Sequence, residues 1–271
     1  MKELFPPYPG ADGSESADGR LAELHLYDGP LCNRACSFCC VAGNPSGWQQ
    51  PFDEALLEYA LELVSPTGCI KFYGGEPTIH PEQVIEAARF LRANGFQGSF
   101  QLFTNGILAK RVLEILDAVP GMIAVLNYSI LYGRGADPIP ERALELLLEH
   151  HDGRIFAGHD ELNDAGSAPE TPDTASAPDK GATCPHCYPV LRSDGVFHGC
   201  PFAVENLHEH FILGKMGSDK TAAESIHRFW QQIEWQREHV EPTARVSGKT
   251  ACQVCKHDLD ALPSPYNKRS R

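Results

Sequence analysis

Three cysteines crowd the stretch Cys32-Asn33-Arg34-Ala35-Cys36-Ser37-Phe38-Cys39, spaced by three residues and then by two, just after a short apolar segment. Three thiolates that close can hold three irons of a cubane cluster and leave the fourth iron open. Soft thiolates suit zinc as well. A structural zinc site takes four protein ligands, so a zinc clip here would draw its fourth from elsewhere. Chance clustering is the third reading. Cys40 adjoins the run and stands outside its spacing.

The rest of the composition narrows the class. The chain has 271 residues, room for one large domain or a core with a small appendage. No apolar run approaches the roughly 20 residues of a membrane span, which argues against a membrane partner. The N-terminus is rich in Pro, Gly and acidic residues and lacks the apolar segment of a signal peptide. Ten cysteines without a secretion signal point to a reducing, cytoplasmic setting and to metal ligation rather than disulfides. A formal net charge of −13 argues against a nucleic-acid backbone as main partner.

Taken in order, residues 1–20 read as a flexible lead-in, and Glu23 to Tyr27 as a first strand with Leu24 and Leu26 on one face. The cysteine loop follows at once. Phe52, Leu56, Ala60 and Leu63 recur at helical spacing. Cys69 to Tyr73 is a second strand, Pro81 to Ala93 a helix, Ser99 to Phe103 a third strand and Leu108 to Val119 a helix. Met122 to Leu126 is a fourth strand, Glu141 to His151 a helix and Arg154 to Ala157 a fifth strand. Strands alternating with helices predict parallel βα units, whose chemistry sits on the loops after the strands. Asp164 to Ala182 is rich in Ala, Ser, Pro and Asp, with no aliphatic side chain larger than Ala, so it reads as a loop or linker. No sixth strand precedes it; either that strand is cryptic or the barrel is short.

A second motif, Gly74-Gly75-Glu76-Pro77, ends the second strand. Two glycines let backbone approach a ligand closely, and Glu76 can fix the strand end by hydrogen bonds. Alone it would be a tight turn. One βα unit after the three-cysteine loop, it completes a pattern that resembles the radical S-adenosylmethionine (SAM) superfamily over roughly residues 20–160. The resemblance implies that Cys32, Cys36 and Cys39 bind a [4Fe–4S] cluster whose open iron chelates SAM. It puts Phe38 at the family's aromatic position and implies cofactor contacts from Gly74, Gly75, Glu76 and Pro77. Weaker correspondences place Asn105, in Thr104-Asn105-Gly106, toward the cofactor, and Ser129, with Asn127, against its ribose.

A second cysteine set closes the chain: Cys184, Cys187, Cys200, Cys252 and Cys255. Tyr188 to Arg192 and Val196 to His198 read as a hairpin around Ser193-Asp194-Gly195. Ala222, Ile226, Phe229 and Ile233 give a later helix, about Asp219 to Glu238, an apolar face. Cys184-x10-Gly195-x4-Cys200 with a late Cys252-x2-Cys255 resembles Twitch, an auxiliary-cluster extension smaller than its relative SPASM. The resemblance implies that Cys184, Cys200, Cys252 and Cys255 hold an auxiliary [4Fe–4S] cluster, with Cys187 as a substitute for Cys184. A zinc ribbon on the two CxxC pairs is the rival reading and leaves Cys200 unused. Cys40 and Cys69 read as packing residues, Trp230 and Trp235 likewise, and His186 and His198 as residues near the second site that could touch substrate.

The expected architecture is therefore α/β. It is a partial (βα)5–6 TIM-like barrel over residues 21–163, then the linker at 164–182 and a hairpin-plus-helix auxiliary domain over 183–271. The resemblance implies reduction by a flavodoxin- or ferredoxin-type partner, SAM cleavage to a 5′-deoxyadenosyl radical, and hydrogen abstraction from substrate. The auxiliary cluster would accept an electron, giving a two-electron oxidation of a small molecule. A peptide-modifying maturase and a non-catalytic iron–sulfur or zinc protein are the alternatives. About 20 residues precede the first strand. They are too few for a leader-recognition domain, which leans the expectation toward a small substrate.

Overall fold

The computed structural model describes residues 4–6, 16, 18–37, 39–131, 137–150, 152–158, 188–218 and 221–265. The expectations for Phe38, Cys184, His186 and Cys187, and for the linker at 164–182, lie outside them.

Eight strands form one open sheet in the order β5-β4-β3-β2-β1-β6-β7-β8. Strands β1 (Leu21–Tyr27), β2 (Val64–Tyr73), β3 (Ser99–Thr104), β4 (Ile123–Leu126) and β5 (Ile155–Ala157) are parallel neighbours in sequence order. Helices α1 (Glu54–Leu63), α2 (Pro81–Ala93), α3 (Ala109–Ala118) and α5 (Glu141–Glu149) fall where the apolar periodicity placed them; a single turn, α4 (Tyr128–Leu131), follows β4. Local chemistry fixes their starts: the Asp53 carboxylate accepts from the Leu56 N–H at 2.8 Å, and Pro81 opens α2.

The hairpin is where the structure departs from the sequence pattern. Strands β6 (Val190–Arg192) and β7 (Val196–His198) are antiparallel as expected, and β8 (Ile212–Lys215) pairs with β7. The far edge of β6 lies parallel to β1, with His25, Leu26 and Tyr27 opposite Val190, Leu191 and Arg192. The sixth parallel strand therefore exists. It follows the linker, and it sits on the other side of β1 from β2. A three-residue strand carries too little pattern to announce a long-range partner.

One face of the sheet is apolar and buried under helices. Leu24, Leu26, Ile70, Phe72, Phe100, Leu102, Ala124 and Leu126 are at most 1% exposed and join a core with α1, α2, α3 and α5. Helix α6 (Ala222–Trp235) extends this layer: it packs on α1, and Tyr59 donates to Ser225 at 3.0 Å. A capping box of Thr221 and Glu224 starts it. It runs through a wide π-turn, Gln236–Val240, into α7 (Glu241–Ser247). Pro242 lacks an N–H and would crowd the carbonyl one turn back, and the widened turn relieves that clash. Helix α8 (Ala251–His257) follows. Among the described residues, no helix is long and apolar enough to cross a membrane.

The lower rim of the sheet leaves little room. A Cβ on Gly98 would lie 1.9 Å from the Gly68 carbonyl oxygen, whereas one on Gly121, at φ +78°, would meet nothing within 4 Å. Gly98→Ala should lower unfolding free energy by about 2–3 kcal/mol. Gly121→Ala should cost only the left-handed backbone strain of about 1–2 kcal/mol. Urea denaturation of both variants checks this; a loss at Gly98 smaller than that at Gly121 would mean that the Gly98 contact relaxes freely.

Candidate functional site

The loop after β1 and the turn after β2 are hydrogen-bonded to each other. The Gly75 N–H donates to the Gly29 carbonyl at 2.7 Å and the Glu76 N–H to the Leu31 carbonyl at 2.8 Å. Neither glycine of the second motif tolerates a side chain. A Cβ on Gly75 would fall 2.2 Å from the Leu31 oxygen, and one on Gly74 would fall 2.0 Å from Asp28 Oδ1. Burial pushes the Asp28 carboxyl up to about 7, against a hydrogen bond from Gln49.

Within the cysteine loop, Cys32 is buried and Cys36 and Cys39 are half-buried. The Gly43 N–H donates to Cys39 Sγ at 3.2 Å, and Asn105 Nδ2 lies 3.8 Å from Cys32 Sγ. Gly43 itself is wedged between Cys32, Cys39 and Gly75. N–H groups aimed at sulfur are the donors that a thiolate-bound cluster uses. Burial, with the neighbouring Glu76, Cys39 and Cys36, pushes the Cys32 thiol up to about 12. An iron–sulfur cluster would supply the positive charge that lets such a thiol ionise. Among the described residues, no three His, Cys, Asp or Glu side chains converge closely enough for a single metal ion. Three cysteines in one loop, with N–H donors near two of their sulfurs, fit the ligand set of an iron–sulfur cluster.

Glu76 is 1% exposed and does not face open space. Its Oε1 accepts from the Thr104 hydroxyl at 2.6 Å and from the Thr78 hydroxyl and N–H at 2.5 and 3.2 Å; its Oε2 accepts from the Asn105 N–H at 2.7 Å. Burial raises its pKa and these bonds oppose that rise. The carboxylate thus locks the end of β2 to the end of β3. Pro77 is buried and opens the short turn behind it. Asn105 donates to Asn33 Oδ1 at 2.7 Å, so Asn105 and Cys32 share one edge of the site. Asn127 Oδ1 accepts from the Ile130 N–H at 3.1 Å, capping α4, on which Ser129 stands.

The face of the sheet opposite the helices carries a polar group that the motifs did not announce. Glu23, His25, Lys71 and Gln101 are 4 to 8% exposed. Their positions alternate with the apolar residues under the helices, so they project from the other face. Glu23 Oε1 pairs with Lys71 and lies 2.8 Å from His25 Nε2. Burial works against the Glu23 charge, but His25 and Lys71 prevail and hold its pKa below the usual value. Burial and the Lys71 charge hold His25 down, against the Glu23 hydrogen bond. Glu23 Oε2 and His25 Nδ1 have no protein partner. The rings of Tyr73 and Tyr188 lie 5.3 and 5.5 Å from that of His25. The alternation of Glu23 and His25 with Leu24 and Leu26 was the available signal; Lys71 and Gln101 needed the strand register.

Cys200, Cys252 and Cys255 come together on the wall of one cavity of about 210 Å³. Cys252 and Cys255 share a face of α8, which a Thr250–Gln253 capping box starts. Cys40 packs against Tyr27, Val41, Val190 and Val204, as expected, and also lines the same cavity. One sequence reading changes here. His198 is fully buried, with Nε2 donating to the Asn206 carbonyl and Nδ1 accepting from the Cys200 N–H, so it shapes the Cys200 loop rather than facing substrate. Burial lowers its pKa to about 4, which keeps it neutral. Cys69 and Trp235 are buried as expected.

Residues 26–133 match the model of the Radical SAM superfamily. The chain is 34% identical over 85 residues to a 7,8-dihydro-6-hydroxymethylpterin dimethyltransferase of Methanocaldococcus jannaschii, covering 30% of this chain and 16% of the relative. It is 34% identical over 91 residues to a GTP 3′,8-cyclase of Microcystis aeruginosa, covering 31% and 27%. The similarity therefore spans well under a third of either relative. In fold the chain is similar to BtrN, solved in complex with AdoMet and 2-DOIA, at a TM-score of 0.52 and 17% identity over 86% of this chain and 91% of BtrN. With its cysteine loop and Gly-Gly turn locked together at the end of an open, mostly parallel sheet, the stretch 26–133 is the part of the chain that matches the radical SAM superfamily.

Proposed function

We propose that this protein is a radical SAM enzyme that abstracts a hydrogen atom from a small polar molecule and oxidises it by two electrons. The observation that carries the reading is the docking of the Gly74–Gly75 turn onto the three-cysteine loop. It brings three thiols and a stretch of bare backbone to one end of the sheet. When bound, a [4Fe–4S] cluster and SAM supply a 5′-deoxyadenosyl radical by one-electron reductive cleavage. Cys32, Cys36 and Cys39 would hold that cluster. The Gly74 and Gly75 backbone would take the amino group of SAM, and Asn105 would stand at the sulfur side. Phe38, Pro77 and Ser129 complete the proposed cofactor set.

The protein's own task is to hold the target carbon in place and keep water away from the radical. The Glu23, His25 and Lys71 group supports a polar substrate, because Glu23 Oε2 and His25 Nδ1 are buried and unmet. Both are acceptors, so a substrate amine with two N–H groups, or a pair of hydroxyls, would satisfy them. The cavity walled by Cys200, Cys252 and Cys255 supports an auxiliary [4Fe–4S] cluster of the Twitch kind, with Cys184 or Cys187 as the fourth ligand in the motif's own terms. Such a cluster, fully ligated by cysteine, has no open iron for substrate and is suited to accepting an electron. A flavodoxin- or ferredoxin-type protein is the proposed reductant.

Two outcomes test this. Cys32→Ala should abolish 5′-deoxyadenosine formation from SAM under dithionite, measured by chromatography; persistence of the product would remove the first cluster from the assignment. Cys252→Ala should lower iron from about eight to about four per chain after anaerobic reconstitution, with deoxyadenosine still formed without substrate. An unchanged iron count, or one zinc lost in place of iron, would end the auxiliary-cluster reading.

A further inference from the structure

We infer that Cys40, next in the chain to Cys39, is the fourth ligand of the second cluster. The two neighbouring residues would then serve two different iron–sulfur sites. This rests on the auxiliary-cluster reading above and goes beyond it by replacing Cys184 as the fourth ligand.

The geometry divides the two sulfurs. Cys39 turns toward Gly43, whose N–H bonds its sulfur, and toward the Gly75 side of the loop. The chain bends back through Ala42, a non-glycine residue at φ +53°, and so returns Gly43 to Cys39. Cys39 and Cys40 both pack against Tyr27, Val41, Val190 and Val204, and of the two Cys40 lines the cavity of Cys200, Cys252 and Cys255. Tyr73 bolts the two walls together: its hydroxyl donates to the Pro201 carbonyl at 3.2 Å, holding the Cys200 loop against the β2 side. His198 fixes the Cys200 N–H, and the Lys249–Asp258 pair at 2.7 Å braces the two ends of α8.

Four thiols from three distant segments thus surround one space. Four thiolates complete a [4Fe–4S] cluster or a zinc site. Zinc would need its sulfurs close around one ion at bonds of roughly 2.3 Å. The space is about 210 Å³, which suits the larger group. Interleaved cysteines that serve two clusters are an arrangement known in two-cluster ferredoxins.

The test uses a full-length background with Cys32, Cys36 and Cys39 all changed to Ala, which leaves only the second site to bind iron. After anaerobic reconstitution that background should hold about four irons and matching sulfide. Adding Cys40→Ser should drop iron to near zero or leave a three-iron cluster with its own paramagnetic resonance signal. Adding Cys184→Ser or Cys187→Ser should leave the full count. If Cys40→Ser keeps four irons and Cys184→Ser or Cys187→Ser loses them, Cys40 is a wall residue and the inference fails. A background that binds no iron at all fails the auxiliary-cluster reading instead. Cys69→Ser, at a buried thiol away from both sites, controls for general loss of fold and should leave the count unchanged; circular dichroism of the Cys40→Ser chain separates misfolding from lost ligation.

Discussion

The buried carboxylate of Glu76 is the constraint on which the rest of the site depends. A charge taken out of water costs far more than a marginally stable fold can spare unless it is hydrogen-bonded. Here Thr78, Thr104 and Asn105 supply donors to both oxygens. Those donors sit on two successive strand ends, so satisfying one carboxylate also sets the spacing of the β2 and β3 loops. With those loops set, Gly75 and Glu76 reach the cysteine loop through backbone bonds, and Asn105 reaches Cys32. The acidic residue works through position.

Much of this was legible in the chain because it is local. Cys32, Cys36 and Cys39 fall in one loop, and the Gly-Gly pair sits where two backbones meet. The helices follow their apolar period to within a few residues. Periodicity reads a face, and α1, α2, α3 and α5 each have one. The hairpin turn at Gly195 was equally plain, because it is written in three consecutive residues.

What could not be read is what depends on partners far along the chain. Strand β6 was visible as half of a hairpin, but nothing in Val190–Arg192 names Tyr27 and its neighbours as the strand across from it. Cys40 read only as a packing residue because the cysteines that share its cavity lie 160 and more residues away. His198 looked available because a histidine near cysteines attracts attention; its two nitrogens are spent on Asn206 and Cys200. Lys71 and Gln101 were hidden for the opposite reason. A polar residue in a buried strand is meaningful only when the register shows which face it joins.

The place of β1 in the sheet has one more implication. It is an interior strand, with β2 on one edge and β6 on the other. Both cysteine sites hang from it: one from the loop that leaves its end, the other from the hairpin laid along its side. Cutting the chain before β6 would strip β1 of a hydrogen-bonded neighbour and bare its backbone as a template for other chains. The second site is therefore woven into the same β-ladder as the first, and a lineage that discarded it would also have to re-edge its sheet.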